Sequence, residues 1–282
     1  MRISRETRRR LTSHAVLVAS TGAAMLGIVM LIWILGDVVL KGISAITPAF
    51  FIELPTPPGM EGGGLGNAIL GTLLMTVTAA LMAVPAGVLA GIYLSEFGRD
   101  NVFGQIIRSL ADILMSAPSI VIGVFVYLIM VKTMGHFSGW AGAVSLAILM
   151  LPLVIRTSEE MLRLVPNEMR EAALALGAPY WSMMLHIAFR AAKTGIITGV
   201  MLAVARVAGE TAPLLFTALN SPYWVNNMNE PMPNLTVTLF NYAMSPYNDW
   251  QQLAWGAAFL ITLSVLAVTL LTRLLLRTRS HR

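Results

Sequence analysis

The chain has 282 residues, 56% of them hydrophobic and only 12% charged, and its mean hydropathy of +0.74 lies well outside the composition of a soluble globular domain. This is the composition of a polytopic membrane protein. The net charge of +5 does not indicate nucleic-acid binding, because the basic residues are dispersed between apolar runs, and the lack of cysteine excludes disulfides, thiolate metal sites and cysteine nucleophiles. The histidines stand apart at His14, His136, His186 and His281, so no metal site and no catalytic residue is predicted.

The N-terminal arm, residues 1–14, carries five arginines ahead of an apolar run from Ala15 to Leu40. That run is longer than a signal-peptide core and lacks a small-residue cleavage site, so it reads as an uncleaved first span. The segment from Lys41 to Gly66 is rich in Pro and Gly but also holds Phe50, Phe51 and Met60, which predicts an ordered or partly embedded loop. Its Gly62 to Gly64 run permits close backbone approach. A second span is predicted over Asn67 to Leu94 and a third over Ser109 to Val131, separated by SEFGRDNVFGQ. Pro85 and Pro118 fall inside these spans and predict kinks in a packed bundle. Asp112 reads as a helix-start charge rather than a ligand. The turn KTMGHFSGW leads to a fourth span, Trp140 to Ile155, short by the usual measure of about twenty residues.

Then comes a polar insert within residues 156–190, with VPNEMREAALALGAPYWSMMLHIAFR over Val165 to Arg190. Pro166 suits a first helical turn, Glu168 and Glu171 favour the positive N-terminal end, and Gly177 is a natural left-handed stop. The predicted shape is a short helix, a Gly-Ala-Pro turn and a second helix. Met169, Ala172, Ala173 and Leu176 give the first helix a mildly apolar face beside Arg170 and Glu171, suited either to a partner's groove or to the membrane surface.

A fifth span is predicted over Ala191 to Leu219, followed by the loop NSPYWVNNMNEPMPN, a sixth span over Leu253 to Leu276 and a short tail, residues 277–282. Six spans put both termini on one side. Sixteen basic residues fall on that side, in the arm, between spans two and three, in the insert and its flank, and at the C-terminal end, whereas only Lys41 and Lys132 lie opposite. By the positive-inside rule the termini and the insert face the cytoplasm. The domain organisation is therefore an arm, a transmembrane body over residues 15–276 and a tail, with no room for a soluble catalytic domain.

Inside the fifth span VARVAGETAPLLF holds Arg206, Gly209, Glu210 and Pro213. A charge in mid-membrane costs roughly 2.5–3.5 kcal/mol on insertion scales, so Arg206 must face protein or water. Arg206 and Glu210 are four apart and share a helix face, Gly209 opens room, and Pro213 bends the helix by removing the bond to the Gly209 carbonyl. One reading is a substrate-pathway site, since a guanidinium forks onto two oxygens of a phosphate. The other is an ion pair that fixes helix packing. Ser116 and Ser119, on either side of Pro118, either line the same pathway or satisfy carbonyls that Pro118 releases.

The spacing Glu171-Ala172-Ala173, three residues, Gly177, nine residues, Ile187 resembles the EAA loop of binding-protein-dependent permeases, although Phe189 and Arg190 stand where that pattern has Leu-Pro. GLGNAILGTLL (64–74), APSIVIG (117–123), VPNEMREAALALGA (165–178) and ARVAGETAPLLFTA (205–218) resemble the A-type permeases of bacterial phosphate-specific ABC transporters. The resemblance implies an all-α, six-span type I ABC importer permease of the inner membrane that carries inorganic phosphate inward. It implies a homologous C-type permease, an ATPase dimer and a periplasmic phosphate-binding protein as partners. It makes Glu168, Glu171, Ala172, Ala173 and Gly177 the ATPase-coupling residues, while Pro118, Gly209 and Pro213 read as helix hinges from their own backbone chemistry. No GKS or GKT phosphate loop occurs in the chain, so ATP and Mg are assigned to the partner ATPase. Alternatives are a permease for another oxyanion or a phosphonate, a secondary transporter with Glu210 as proton carrier, and a membrane scaffold.

Overall fold

A chain surrounded by hydrocarbon must satisfy its backbone polar groups internally, which a helix does within one segment. The computed structural model describes residues 5–60, 62–99 and 101–277, and these form helices with no strand among them. Among the described residues, five helices are long and apolar enough to cross a membrane, and the count is six if a bent pair of helices is taken as one broken span. The outermost parts of the arm and tail, residues 1–4 and 278–282, lie outside the described residues.

Helix α1, Arg5–Gly42, begins within the arm rather than at Ala15. Its apolar residues, Leu17, Ile28 and Trp33 among them, are exposed. It meets the rest of the chain at its C-terminal end, where Lys41 lies 4.7 Å above the Trp255 ring. The following segment is ordered, as its aromatics predict. Thr47 caps the short helix α2, Pro48–Ile52, and Phe50 is fully buried among Leu65, Leu253, Ala254 and Ala257.

Helix α3, Gly66–Glu96, stays continuous through Pro85. Ala79, Ala83, Gly87 and Gly91 recur every fourth residue along its buried face, and Gly87 and Gly91 lie directly against Val154 and Ser158. Small residues at this spacing let two backbones approach closely where lipid supplies no hydrophobic drive. The helix they meet is α6, Gly139–Arg163, and Met75, Met150, Val154, Ala203, Val207 and Leu214 complete the core around the pair.

The third, fourth and fifth spans also differ from the sequence reading. The single third span is replaced by α4, Val102–Ser116, and α5, Ser119–Met134, bent by 104°. Ala117 takes an extended conformation (ψ 135°) before Pro118 (ψ 133°), because proline's ring clashes with an αR residue preceding it. Asp112 is then mid-helix rather than at a helix start, and Arg156 Nε donates to it at 3.0 Å. The fourth span is not short: α6 has 25 residues and carries Arg156, Glu159 and Arg163 within its regular helix. Glu159, 2% exposed, is paired with Arg108 Nε at 2.7 Å and Arg163 Nη2 at 2.8 Å, which lets charge continue an apolar helix.

The insert forms α7, Asn167–Ala175, and a second helix that runs without interruption into the fifth span as α8, Tyr180–Ala208, with Phe189 and Arg190 well inside it. Six of its residues, Met183–Ala188, form a wider π turn. The fifth span does not continue to Leu219: α8 ends at Ala208, and α9, Ala212–Thr217, is a separate short helix. Two further helices follow, α10, Leu235–Ala243, which the sequence reading missed, and α11, Asn248–Arg277. Asn234 caps α10 by accepting from the Val237 N–H at 2.9 Å.

Candidate functional site

Two of the helix breaks face each other. Gly123 of α5 packs so closely on Pro213 that a Cβ there would lie 2.6 Å from the proline Cα. Beside this contact is a cavity of about 260 Å³, lined by Leu114 and Met115 of α4, Ala117 and Pro118 of the break, Ser119 at the start of α5, Leu149 and Leu153 of α6, and Arg206, Val207 and Glu210.

Of the residues expected on a substrate pathway, Ser119, Arg206 and Glu210 come together here and Ser116 does not. Ser116 Oγ donates to the Ile113 carbonyl at 2.8 Å, a bond within its own helix. Pro118 lines the cavity, whereas Gly209 and Pro213 are not among its lining residues: Gly209 lies just beyond the end of α8 and Pro213 within α9.

The shared helix face of Arg206 and Glu210 is not formed, because Glu210 lies beyond the end of α8. Gly209 N–H donates to the Arg206 carbonyl at 3.3 Å and Glu210 N–H to the Val207 carbonyl at 3.1 Å, tightening the last turn. Pro213 sits in the first turn of α9, where its missing N–H removes no helical bond. It therefore permits a new helix to start rather than bending an old one. From α10, Thr236 Oγ1 donates to the Glu210 carbonyl at 3.0 Å. The Glu210 backbone is thus held at both its N–H and its carbonyl, and the residue lines the cavity. Among the described residues, neither Arg206 nor Glu210 forms an ion pair. A cavity offering a guanidinium, a hydroxyl at a helix N-terminus and a carboxylate suits an oxyanion that still bears a proton: the first two donate hydrogen bonds to negatively charged oxygens, and the carboxylate accepts from the remaining O–H.

The insert is a second site. Gly177 has φ +81°, and its N–H donates to the Leu174 carbonyl at 2.9 Å while Ala178 N–H donates to Ala173 at 3.2 Å, closing α7 in the left-handed manner its glycine predicts. Pro166 precedes α7 as its N-cap, one position earlier than expected. Glu168, Glu171, Ala172 and Gly177 are exposed, and Ala173 is half-buried against a cluster that includes Val165, Met183 and Met184. The outward surface is more apolar than the sequence reading anticipated, with Leu176 89% exposed and Trp181, Leu164 and Met169 exposed as well.

Sequence reasoning missed what holds α7 in place. Arg170 is buried, pairs with Glu96 at the end of α3, and donates through Nη2 to the Leu162 carbonyl of α6 at 2.7 Å. Tyr180 Oη donates to the other Glu96 oxygen at 2.8 Å. A signal existed in Glu96, a carboxylate ending an apolar run, but nothing local pointed to a partner 74 residues away.

Residues 83–281 match the family described as binding-protein-dependent transport system inner membrane component. The chain is 49% identical over 273 residues to the phosphate transport system permease protein PstA of Yersinia pestis, spanning 97% of this chain and 92% of that protein. It is 52% identical over 252 residues to the PstA protein of Haemophilus influenzae, spanning 89% of each, and 35% identical over 272 residues to that of Mycobacterium leprae, spanning 93% of this chain and 88% of that protein. Among solved structures, the inward-facing MetNI methionine ABC transporter superposes with a TM-score of 0.64 at 18% identity, covering 76% of this chain and 95% of that one. At such identity the likeness is one of fold.

Proposed function

The chain belongs to the binding-protein-dependent transport system inner membrane components, among the phosphate permeases of the PstA type, and from that premise we propose that it is the permease subunit of an ATP-driven importer moving inorganic phosphate into the cytoplasm. The observation that carries this reading is likeness to phosphate permeases along nearly the whole chain. The family is one of transport components; ATP and its Mg are handled by a separate ATPase. The specific partners are a homologous second permease, an ATPase dimer and a periplasmic phosphate-binding protein.

Both termini and the insert face the cytoplasm in this reading, supported by sixteen basic residues on that side against two opposite. The ATPase docks on the exposed surface of α7 around Glu168, Glu171, Ala172 and Gly177, with Ala173 beneath it. Its closure displaces α7 and the start of α8, and the membrane helices alternate between outward and inward access. Phosphate passes the cavity of Arg206, Glu210 and Ser119, where the exposed guanidinium forks onto two of its oxygens. Glu210 accepts from the phosphate hydroxyl, an interaction sulfate cannot offer at neutral pH. The breaks at Pro118 and at Gly209 to Pro213 are the hinges that allow this cavity to change shape.

The test is uptake of radiolabelled phosphate by vesicles containing the assembled transporter, with sulfate, molybdate and phosphonates as competitors. ATP-dependent uptake that only unlabelled phosphate suppresses is expected. Uptake that survives removal of ATP but collapses with the proton gradient would overturn the reading.

A further inference from the structure

Arg170 is the sole basic residue of α7, and it turns inward while the rest of the docking surface turns out. Its guanidinium reaches two other helices, pairing with Glu96 at the end of α3 and donating to the Leu162 carbonyl near the end of α6. Glu96 in turn accepts from Tyr180, the first residue of α8. The side chains of Arg170 and Glu96 are 8% and 4% exposed. Removing water from two charges offsets much of their attraction, so a buried pair of this kind is a weak stabiliser; what it does impose is that neither group tolerates separation from the other. Apolar contacts between α7 and the body can slide by a fraction of a turn at small cost, whereas this pair cannot.

The elements joined at this point are the ones that lead to the cavity. α3 and α6 are in direct backbone contact along Gly87 and Gly91, α6 lines the cavity through Leu149 and Leu153, and α8 carries Arg206. We propose that Arg170, acting through Glu96, is a positioning residue that clamps α7 to α3, α6 and α8, so that displacement of α7 reaches the cavity instead of being lost at the membrane surface. The inference rests on the reading that α7 docks the ATPase.

The experiment uses the complete transporter reconstituted in vesicles and measures phosphate imported per ATP hydrolysed. The chain has no cysteine, so Leu176→Cys supplies a unique thiol for cross-linking α7 to the ATPase. Arg170→Met and Glu96→Gln are each expected to lower the import ratio by about 5-fold or more, within the usual range of coupling between sites, with cross-linking retained. The double variant should be no worse than the more severe single one, since both remove one interaction. A merely structural role would lower transport and hydrolysis in parallel and leave the ratio unchanged, and that result, with the cross-link present, overturns the clamp while sparing the docking reading. Absence of the cross-link in the otherwise unaltered chain overturns both. If the Arg170 and Glu96 variants fail to assemble, Tyr180→Phe, which removes one hydrogen bond to Glu96, decides the matter: a lowered ratio supports the clamp and an unchanged one overturns it.

Discussion

Replacing Gly91 by alanine adds one methyl group at the crossing of α3 and α6, and the structure gives the consequence. The new Cβ would lie 2.5 Å from Ser158 Cβ, 2.9 Å from the Ile155 carbonyl oxygen and 3.0 Å from the Glu159 nitrogen. Two of these three neighbours are backbone, so no rotamer change relieves the clash. Carbon contacts become favourable near ~3.5 Å, so the helices must part by roughly 1 Å. Gly87, one turn away, sits equally close to Val154, and the parting opens the core on both sides of it. Overpacking of this kind costs about 1–3 kcal/mol, and the backbone contact places Gly91→Ala at the upper end. Gly195→Ala is the control: its new methyl would strike the Sδ and Cγ of Met161, the flexible end of a side chain that can swing aside, for under about 1 kcal/mol. Unfolding of the purified chain in mixed detergent micelles measures both. Equal losses for the two variants, or a Gly91→Ala loss within about 0.5 kcal/mol of zero, would refute the argument that backbone contact sets the cost.

Three further outcomes are expected. Arg206→Lys and Arg206→Gln should assemble normally and lose phosphate uptake by about 10-fold or more, since lysine keeps the charge but not the bidentate fork; normal uptake in both would remove Arg206 from the pathway. Gly177→Val puts a β-branched residue at φ +81°, a conformation that costs an ordinary L-residue roughly 1–2 kcal/mol. Substrate-stimulated ATP hydrolysis should fall while membrane insertion, followed by protease protection, is unchanged. Glu159→Gln leaves the partly exposed Arg108 and Arg163 without their buried partner and should destabilise the chain by about 1–3 kcal/mol, whereas Asp112→Asn, at a half-exposed pair, should cost clearly less in the same unfolding assay.

Hydropathy and length locate the spans because lipid forces every crossing to be long and apolar, and Pro166, Gly177 and Pro179 announce the helix-turn-helix of the insert because each fixes its own backbone. The departures occur where distant contacts decide. Pro118 predicts an interruption, but not a bend of 104° or the pairing of Asp112 on α4 with Arg156 on α6 that accompanies it. Glu210 is four residues from Arg206, yet it lies beyond the end of α8, where its carbonyl accepts from Thr236 of α10. The pairs Arg108–Glu159 and Arg170–Glu96 span 51 and 74 residues, and no local spacing reveals them. Ser119 lines the cavity and Ser116 does not, although both of its chain neighbours, Met115 and Ala117, do, a distinction that no sequence pattern announces.

Helix α8 has 29 residues, and Arg206 lies 26 positions beyond Tyr180, about 39 Å along the axis at ~1.5 Å per residue. A tilt of about 5° pivoting at Tyr180 would carry the Arg206 backbone sideways by about 3.4 Å on this geometry, on the scale of an ion's own radius. Small angular motion at the insert is therefore geometrically amplified at the cavity, and the leverage depends on the stiffness of one rod. The π turn at Met183–Ala188 sits close to the fulcrum, where a loss of stiffness would forfeit nearly the whole stroke.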